Sequence, residues 1–211
     1  VYIWEKDGYL ISVATDSFRL AEQKIKVKDI EHFPGVLIPF KNVQEITRIL
    51  SSYTGELRLN IDDNQIALAV GNLYITSRVI NGKFPDYQRI IPKDEGTRVT
   101  MLTQDLVKVL KMSQLFSDAY KQIDIAVKPQ EELCTVMSES STIGSQTTDI
   151  SVVVEGEALE TRANQQYIMD VVGHISSASI IFTFTDGSKP FTLRGVDDKD
   201  FLYIVMPMHR S

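Results

Sequence analysis

The residues of this chain with the widest chemical reach are three histidines, one cysteine and two pairs of adjacent aspartates. His32, His174 and His209 fall in a loop, on a predicted helix and at the chain end, and none stands at metal-ligand spacing from another His or Cys. They read as solvated or structural histidines. Cys134 lies in a strand-forming run, where a free cysteine behaves as a small buried hydrophobe. Asp62-Asp63 and Asp197-Asp198 could face a cation, but both stand at strand-to-strand turns, where Asp bonds its own backbone, and neither fits a calcium loop. There is no Gly-rich phosphate loop and no nucleophile elbow. A hydrolase would need a converging nucleophile and base, and the sequence supplies neither. The expectation is a non-catalytic protein without metal or cofactor.

Cations on helix faces carry more information. In the predicted helix 103–116, Leu106, Val109 and Leu110 make an apolar stripe, with Gln104, Lys108 and Lys111 on the other face. In the predicted helix 41–50, Lys41, Gln44 and Arg48 recur at i, i+3, i+7. A third helix, 164–175, presents Gln166, Asp170 and His174. Such faces are ordinarily solvated. They could also line one surface that touches a phosphate backbone without reading bases.

The elements that would position these faces repeat along the chain. Two opening strands (1–4 and 9–15) form a hairpin around Lys6-Asp7-Gly8, an extended run at 18–25 follows, and 26–35 is a loop. Each later unit then reads strand, helix, three strands. The first has an extended run at 36–40, its helix, and strands at 56–61, 65–70 and 73–80. The second starts at 98–102, has Thr103 as its N-cap, and continues in strands at 123–127, 133–138 and 149–154. The third starts at 158–162 and ends in strands at 179–184, 191–195 and 201–206, with Asp186-Gly187 as a hairpin signal. The class is α+β. One short amphipathic helix on four strands cannot cover a core by itself, so such units must pair. Units two and three make a domain over 97–211. Unit one, within 1–92, needs a partner expected before residue 1, and Pro92 to Gly96 reads as the linker.

With 211 residues, 43% of them apolar, there is material for a core. No apolar run approaches the roughly 20 residues of a membrane span, and the start lacks the pattern of a signal peptide. A single cysteine points to a reducing, cytoplasmic setting. A net charge of −6 argues against a generic nucleic-acid-coating protein but leaves room for a local basic face. The run 201–208 (FLYIVMPM) reads as a buried strand that gives way at Pro207 to exposed methionines, a residue type common on surfaces that accept varied apolar partners.

Four stretches together resemble the bacterial sliding clamp, the beta subunit of DNA polymerase III: ATDSFRLA (14–21), SRVINGKFPDYQRIIP (77–92), TDG (185–187) and YIVMPM (203–208). Their order and separations are similar to those of the clamp's C-terminal portion, and they span essentially the whole chain. The resemblance implies the DNA clamp fold, with the end of a middle domain in 1–92 and a complete third domain in 97–211. In that family two subunits close into a ring with helices inside and sheets outside.

The resemblance also implies a peptide-binding pocket. Its matching positions are Thr15, Ser17, Phe18, Arg19 and Leu20, then Pro85, Arg89 and Ile90, then Ser188 and Pro190, and finally Ile204, Val205, Met206, Pro207 and Met208. The sequence departs from the family at Phe18, where a smaller or polar ring such as His can stand, at Ser17, where Gly can, and in an ending at His209-Arg210-Ser211 that is slightly longer. Lys41, Arg48, Lys108 and Lys111 would face DNA, and Leu115 and Phe116 would belong to a subunit interface. The implied function is a DNA polymerase processivity factor. Its implied partners are duplex DNA, the polymerase III alpha subunit, the clamp loader and other proteins with clamp-binding motifs. A full-length homodimer is implied, with the present chain monomeric or weakly associated. The rival reading is a β-rich ligand-binding or scaffold module with no DNA role.

Overall fold

The computed structural model describes residues 1–27, 33–92 and 96–208. His32, His209 and the linker positions 93–95 lie outside the described residues. The chain divides into two compact units: Val1–Thr15 with Glu22–Asp86, and Asp16–Ala21 with Tyr87–Ser211.

The first unit begins with strands β1 (Tyr2–Lys6) and β2 (Tyr9–Thr15), an antiparallel hairpin in register Tyr2↔Val13 to Lys6↔Tyr9. Its turn is Asp7-Gly8, both at positive φ, as a two-residue hairpin with right-handed twist demands. Strand β3 (Arg19–Lys26) carries on past the turn at Asp16. Strand β4 (Val36–Leu37) pairs with β1. The extended run expected over 36–40 therefore ends early, and Phe40 already opens helix α1 (Phe40–Leu50) with Pro39 at its N-cap. Proline there forfeits no helical hydrogen bond, because the first N–H groups of a helix have no partner within it. Strands β5 (Arg58–Ile61), β6 (Gln65–Val70) and β7 (Leu73–Arg78) form an antiparallel three-stranded sheet. Val43, Ile46 and Leu50 of α1 pack on the cluster of Val36, Ile38, Ile66 and Leu68, and Asn42 Nδ2 donates to Ser77 Oγ at 2.8 Å. No residue of α1 is fully buried.

The second unit contains strands β8 (Thr97–Leu102), β9 (Gln122–Lys128), β10 (Leu133–Ser140), β11 (Gly144–Ser151), β12 (Val153–Glu155), β13 (Leu159–Asn164), β14 (Ser179–Phe184), β15 (Phe191–Gly195) and β16 (Phe201–Val205). Its helices are α2 (Thr103–Leu115) and α3 (Gln165–Val172). One sheet runs β12-β8-β14-β15-β16 and the other β11-β10-β9-β13. The two repeats thus exchange strands. β8 of the earlier repeat pairs with β14 of the later, and β13 of the later pairs with β9 of the earlier. This exchange is how two incomplete repeats come to share one core, drawn from both sheets and both helices.

Several sequence expectations shift here. The strand expected at 149–154 is two strands: β11 pairs with β10, the chain turns at Val152, and β12 joins β8 in the other sheet. Thr103 is not an N-cap; it is the first helical residue, and its Oγ1 donates to the Ser177 carbonyl at 2.8 Å. Helix α3 is shorter than 164–175. Asn164 caps it by accepting from Gln166 N at 2.9 Å, Gly173 ends it, and His174 lies beyond it rather than on it. The last strand ends at Val205 instead of residue 206. The ladder stops at Phe191↔Val205 because the next position on the neighbouring strand is Pro190, which has no N–H to give. The change from core to surface therefore falls at Met206, one residue before Pro207: Val205 is fully buried and Met206 is 36% exposed.

Candidate peptide-binding site

Within the second unit, the segment Asp16–Ala21 meets α3 and the end of β16. Asp16 organises the turn locally. Its Oδ1 accepts from the backbone N–H groups of Phe18 and Arg19, each at 3.0 Å, and its own N–H donates to the Arg19 carbonyl at 3.3 Å. That tight Asx-type turn places Ser17 at φ +76°, a left-handed conformation that a side chain with Cβ adopts at a cost. Replacing Ser17→Gly is expected to leave the fold intact and to change stability by up to about +1 kcal/mol, since glycine meets no steric penalty there. Denaturant unfolding would measure this; a loss of stability would contradict it.

The turn holds Phe18 with its backbone fixed and its ring outward. The Phe18 carbonyl accepts from Met206 N at 2.8 Å, while the side chain is 59% exposed and stacks on Tyr167 with centroids 6.3 Å apart. Arg19 turns the other way. Its Nε donates to Asp16 Oδ2 at 3.0 Å, its Nη1 donates to Asp170 Oδ2 and, at 3.4 Å, to the Tyr203 hydroxyl, and its guanidinium lies 4.6 Å from the Tyr167 ring centroid. Tyr203 in turn donates its hydroxyl to the Tyr167 carbonyl at 2.9 Å. Leu20 is fully buried.

These contacts set the local ionisation. Burial alone would push the Asp16 carboxyl upward, but hydrogen bonds from the Phe18 N–H and the Arg19 guanidinium outweigh it and hold the group below its ordinary range. Asp170 behaves alike: burial is outweighed by the bonds from Arg19 and Gln166 and by the charges of Arg19 and Lys121. Burial raises the Tyr203 hydroxyl. Arg19 is held cationic, the cost of its burial being overcome by Asp170, Tyr203 and Asp16.

The remaining expected pocket positions are distributed. Ile204 and Val205 are buried strand residues, and Pro207 and Met208 are half-buried. Met208 N donates to the Arg162 carbonyl of β13 at 2.9 Å. The turn with Ser188 and Pro190 reaches the same strand, since Thr161 Oγ1 donates to the Gly187 carbonyl at 2.8 Å. Asp186 organises that turn, accepting from Ser188 N and Oγ at 2.7 Å each; these bonds and Lys189 bring its carboxyl down to about 2. Arg89 and Ile90 belong to the second unit, at and just after a 3-10 turn (Tyr87–Arg89); Ile90 is 42% exposed. Thr15 and Pro85 belong to the first unit and are exposed.

Sequence reasoning missed Asp16, Tyr167 and Tyr203 as members of this constellation and placed Asp170 only on a polar helix face. Tyr167 and Asp170 stand three apart, a spacing that puts them on one side of α3, and this was the available signal. Tyr203 sits inside the quoted YIVMPM run, yet nothing in that run announces where its hydroxyl goes.

Of the cations expected to face DNA, Lys41 and Arg48 are exposed on α1 in the first unit, and Lys108 and Lys111 are exposed on α2 in the second. Arg48 is bound to Glu45 at 2.8 Å and Lys108 to Asp105 at 3.0 Å. Leu115 is 68% exposed at the end of α2, and Phe116, half-buried, is its C-cap. Cys134 is buried, and its thiol is pushed up to about 12 by desolvation and by nearby Asp149, an inert environment. No helix among the described residues is long and apolar enough to cross a membrane.

Comparison with known proteins places these features in a lineage. Residues 1–86 match the family model described as DNA polymerase III beta subunit, central domain, and residues 88–209 match that of its C-terminal domain. A beta sliding clamp of Caulobacter vibrioides is 28% identical over 201 residues, covering 94% of this chain and 54% of that protein. One from Staphylococcus epidermidis is 28% identical over 204 residues, covering 96% of this chain and 54% of its own length. The chain spans about half the length of the curated relatives it matches. Among solved structures, the DNA polymerase III beta subunit of Thermotoga maritima superposes with a TM-score of 0.93 at 26% identity, over 100% of this chain and 57% of that one. A Pseudomonas aeruginosa sliding clamp bound to griselimycin gives 0.93 at 26% identity, over 99% and 57%.

Proposed function

Because this chain belongs to the DNA polymerase III beta subunit family, the beta sliding clamps, we propose that it acts in a DNA polymerase processivity factor, a ring around duplex DNA that tethers polymerase through a peptide-binding pocket. Residues 1–92 serve as part of a central clamp domain and 97–211 as a C-terminal clamp domain. The role is non-catalytic and cytoplasmic. The polymerase III alpha subunit, the clamp loader and other proteins with clamp-binding motifs are the partners.

The observation that carries this reading is the surface around Phe18, Tyr167 and Met206. Phe18 and Met206 stand exposed there beside the half-buried Tyr167, on a backbone fixed by hydrogen bonds to Asp16 and by the Met206–Phe18 bond. Preformed apolar surface beside polar groups is what a short extended peptide needs for its anchors, because little ordering entropy then opposes binding. The pocket residues in this reading are Thr15, Ser17, Phe18, Arg19, Pro85, Arg89, Ile90, Ser188, Pro190, Met206, Pro207 and Met208, with the buried Leu20, Ile204 and Val205 backing them. Lys41, Arg48, Lys108 and Lys111 contact the phosphate backbone in the ring. The pairing of Arg48 with Glu45 and of Lys108 with Asp105 weakens each contact, which suits a protein that must slide. Leu115 and Phe116 contribute to the contact between full-length subunits, and this chain by itself is monomeric or weakly associated.

A fluorescein-labelled peptide of the Gln-x-x-Leu-x-Phe type should bind in anisotropy titrations. Met206→Ala should weaken it by roughly tenfold, the effect of truncating one apolar contact of about 1–2 kcal/mol. Absence of binding to the unaltered chain would sink the pocket and favour a scaffold module without a DNA role.

A further inference from the structure

Asp170 stands three residues after Tyr167 on α3, and its two oxygens have different tasks. Oδ1 accepts from Gln166 Nε2 at 2.6 Å, and Oδ2 accepts from Arg19 Nη1. Arg19 is thereby held at two points, Nε by Asp16 and Nη1 by Asp170. A planar guanidinium gripped at one nitrogen can still swing with its flexible stem; gripped at two edges, its plane is set. That plane lies over the ring of Tyr167, whose carbonyl is in turn bound by the Tyr203 hydroxyl. The Tyr167 ring is therefore defined from both ends, by Arg19 over the ring and Tyr203 on the backbone. It is the ring on which exposed Phe18 stacks.

We infer that Asp170 is a positioning residue for peptide recognition: by orienting Arg19 across Tyr167 it fixes the aromatic surface on which a partner's apolar anchor packs. This rests on the peptide-binding reading above. Asp170 is 42% exposed on its side chain, so the ion pair itself contributes little to global stability. Its effect is expected in the affinity for ligand, where the geometry of the packing surface counts.

The test is a double-mutant cycle on the full chain with the same labelled peptide. Asp170→Asn keeps the shape and removes the charge. It should weaken binding by about tenfold in the otherwise unaltered chain and have little further effect in a Tyr167→Ala background, because the two changes act through one surface. Asp170→Glu should recover part of the loss. The melting temperature should hardly move, and the Tyr167 ring signals in 13C-edited NMR of the free protein should shift in Asp170→Asn. Equal losses in both backgrounds, or unchanged affinity and unchanged ring signals in Asp170→Asn while the unaltered chain binds, would overturn the inference. Failure of the unaltered chain to bind overturns the peptide-binding reading itself, and this inference with it.

Discussion

Replacing Arg19 with Ala is expected to weaken binding of a Leu/Phe-anchored peptide by about thirtyfold and to change the acid sensitivity of the fold. The guanidinium is the common partner of Asp16, Asp170, Tyr203 and the Tyr167 ring. Its loss leaves two carboxylates facing a half-buried site without their cation, and it unties the ring that Phe18 stacks on. Truncating an arginine at the centre of a binding surface typically costs 2 kcal/mol or more, about thirtyfold in affinity. The loss in folding stability is smaller, about 1–2 kcal/mol, because both carboxylates are partly exposed and solvent screens them.

The pH dependence follows from the sign of the shifts. Asp16 and Asp170 have folded-state pKa values below their unfolded values. The stability they contribute is therefore complete above the unfolded value, about 3.9, and is lost as pH falls through the lower folded values. In the Arg19→Ala variant that part of the acid transition should shrink, since the cation that lowers both carboxyls is gone. Urea titrations at pH 7, 4 and 3 would measure it. An unchanged difference between pH 4 and pH 3 would show that Arg19 does not hold these groups.

Gly187→Ala is expected to destabilise the second unit by about 3 kcal/mol, lowering its melting temperature by roughly 10 °C. A Cβ at this glycine would sit 1.8 Å from the Glu160 carbonyl oxygen, a backbone atom that cannot rotate away. Relief would require the 185–190 turn to withdraw from β13, breaking the bond from Thr161 Oγ1 to the Gly187 carbonyl. Calorimetry would decide: a variant that melts with the unaltered protein would mean that the turn yields freely. The sequence signal for this glycine was the Asp186-Gly187 hairpin pair, in which glycine ordinarily supplies a positive φ, but Gly187 is not among the positive-φ residues. Its role is close approach between backbones, which depends on a neighbour 27 positions earlier.

That contrast recurs across the molecule. Much of the fold was legible because it follows from local chemistry. The strand run of β9, the apolar stripe of Leu106, Val109 and Leu110, and the Asp7-Gly8 turn each report their own surroundings through local residue types, a period or a φ requirement. The repetition of strand, helix and three strands was also legible, and with it the need for units to pair.

What the sequence by itself determined was the inventory: an α+β chain of repeated units and four motifs that mark the sliding-clamp family. Tertiary structure alone decided which distant residues meet. Arg19 and Asp170 are 151 positions apart, and Arg19 and Tyr203 are 184 apart. No periodicity spans such distances, because a long-range polar contact leaves no mark on the residues between its ends. The exchange of β8 and β13 between repeats, the crossing of the chain at Val152 and the end of β16 opposite Pro190 belong to the same class. Each depends on what a neighbouring strand can offer, and that is known only once the strands lie side by side.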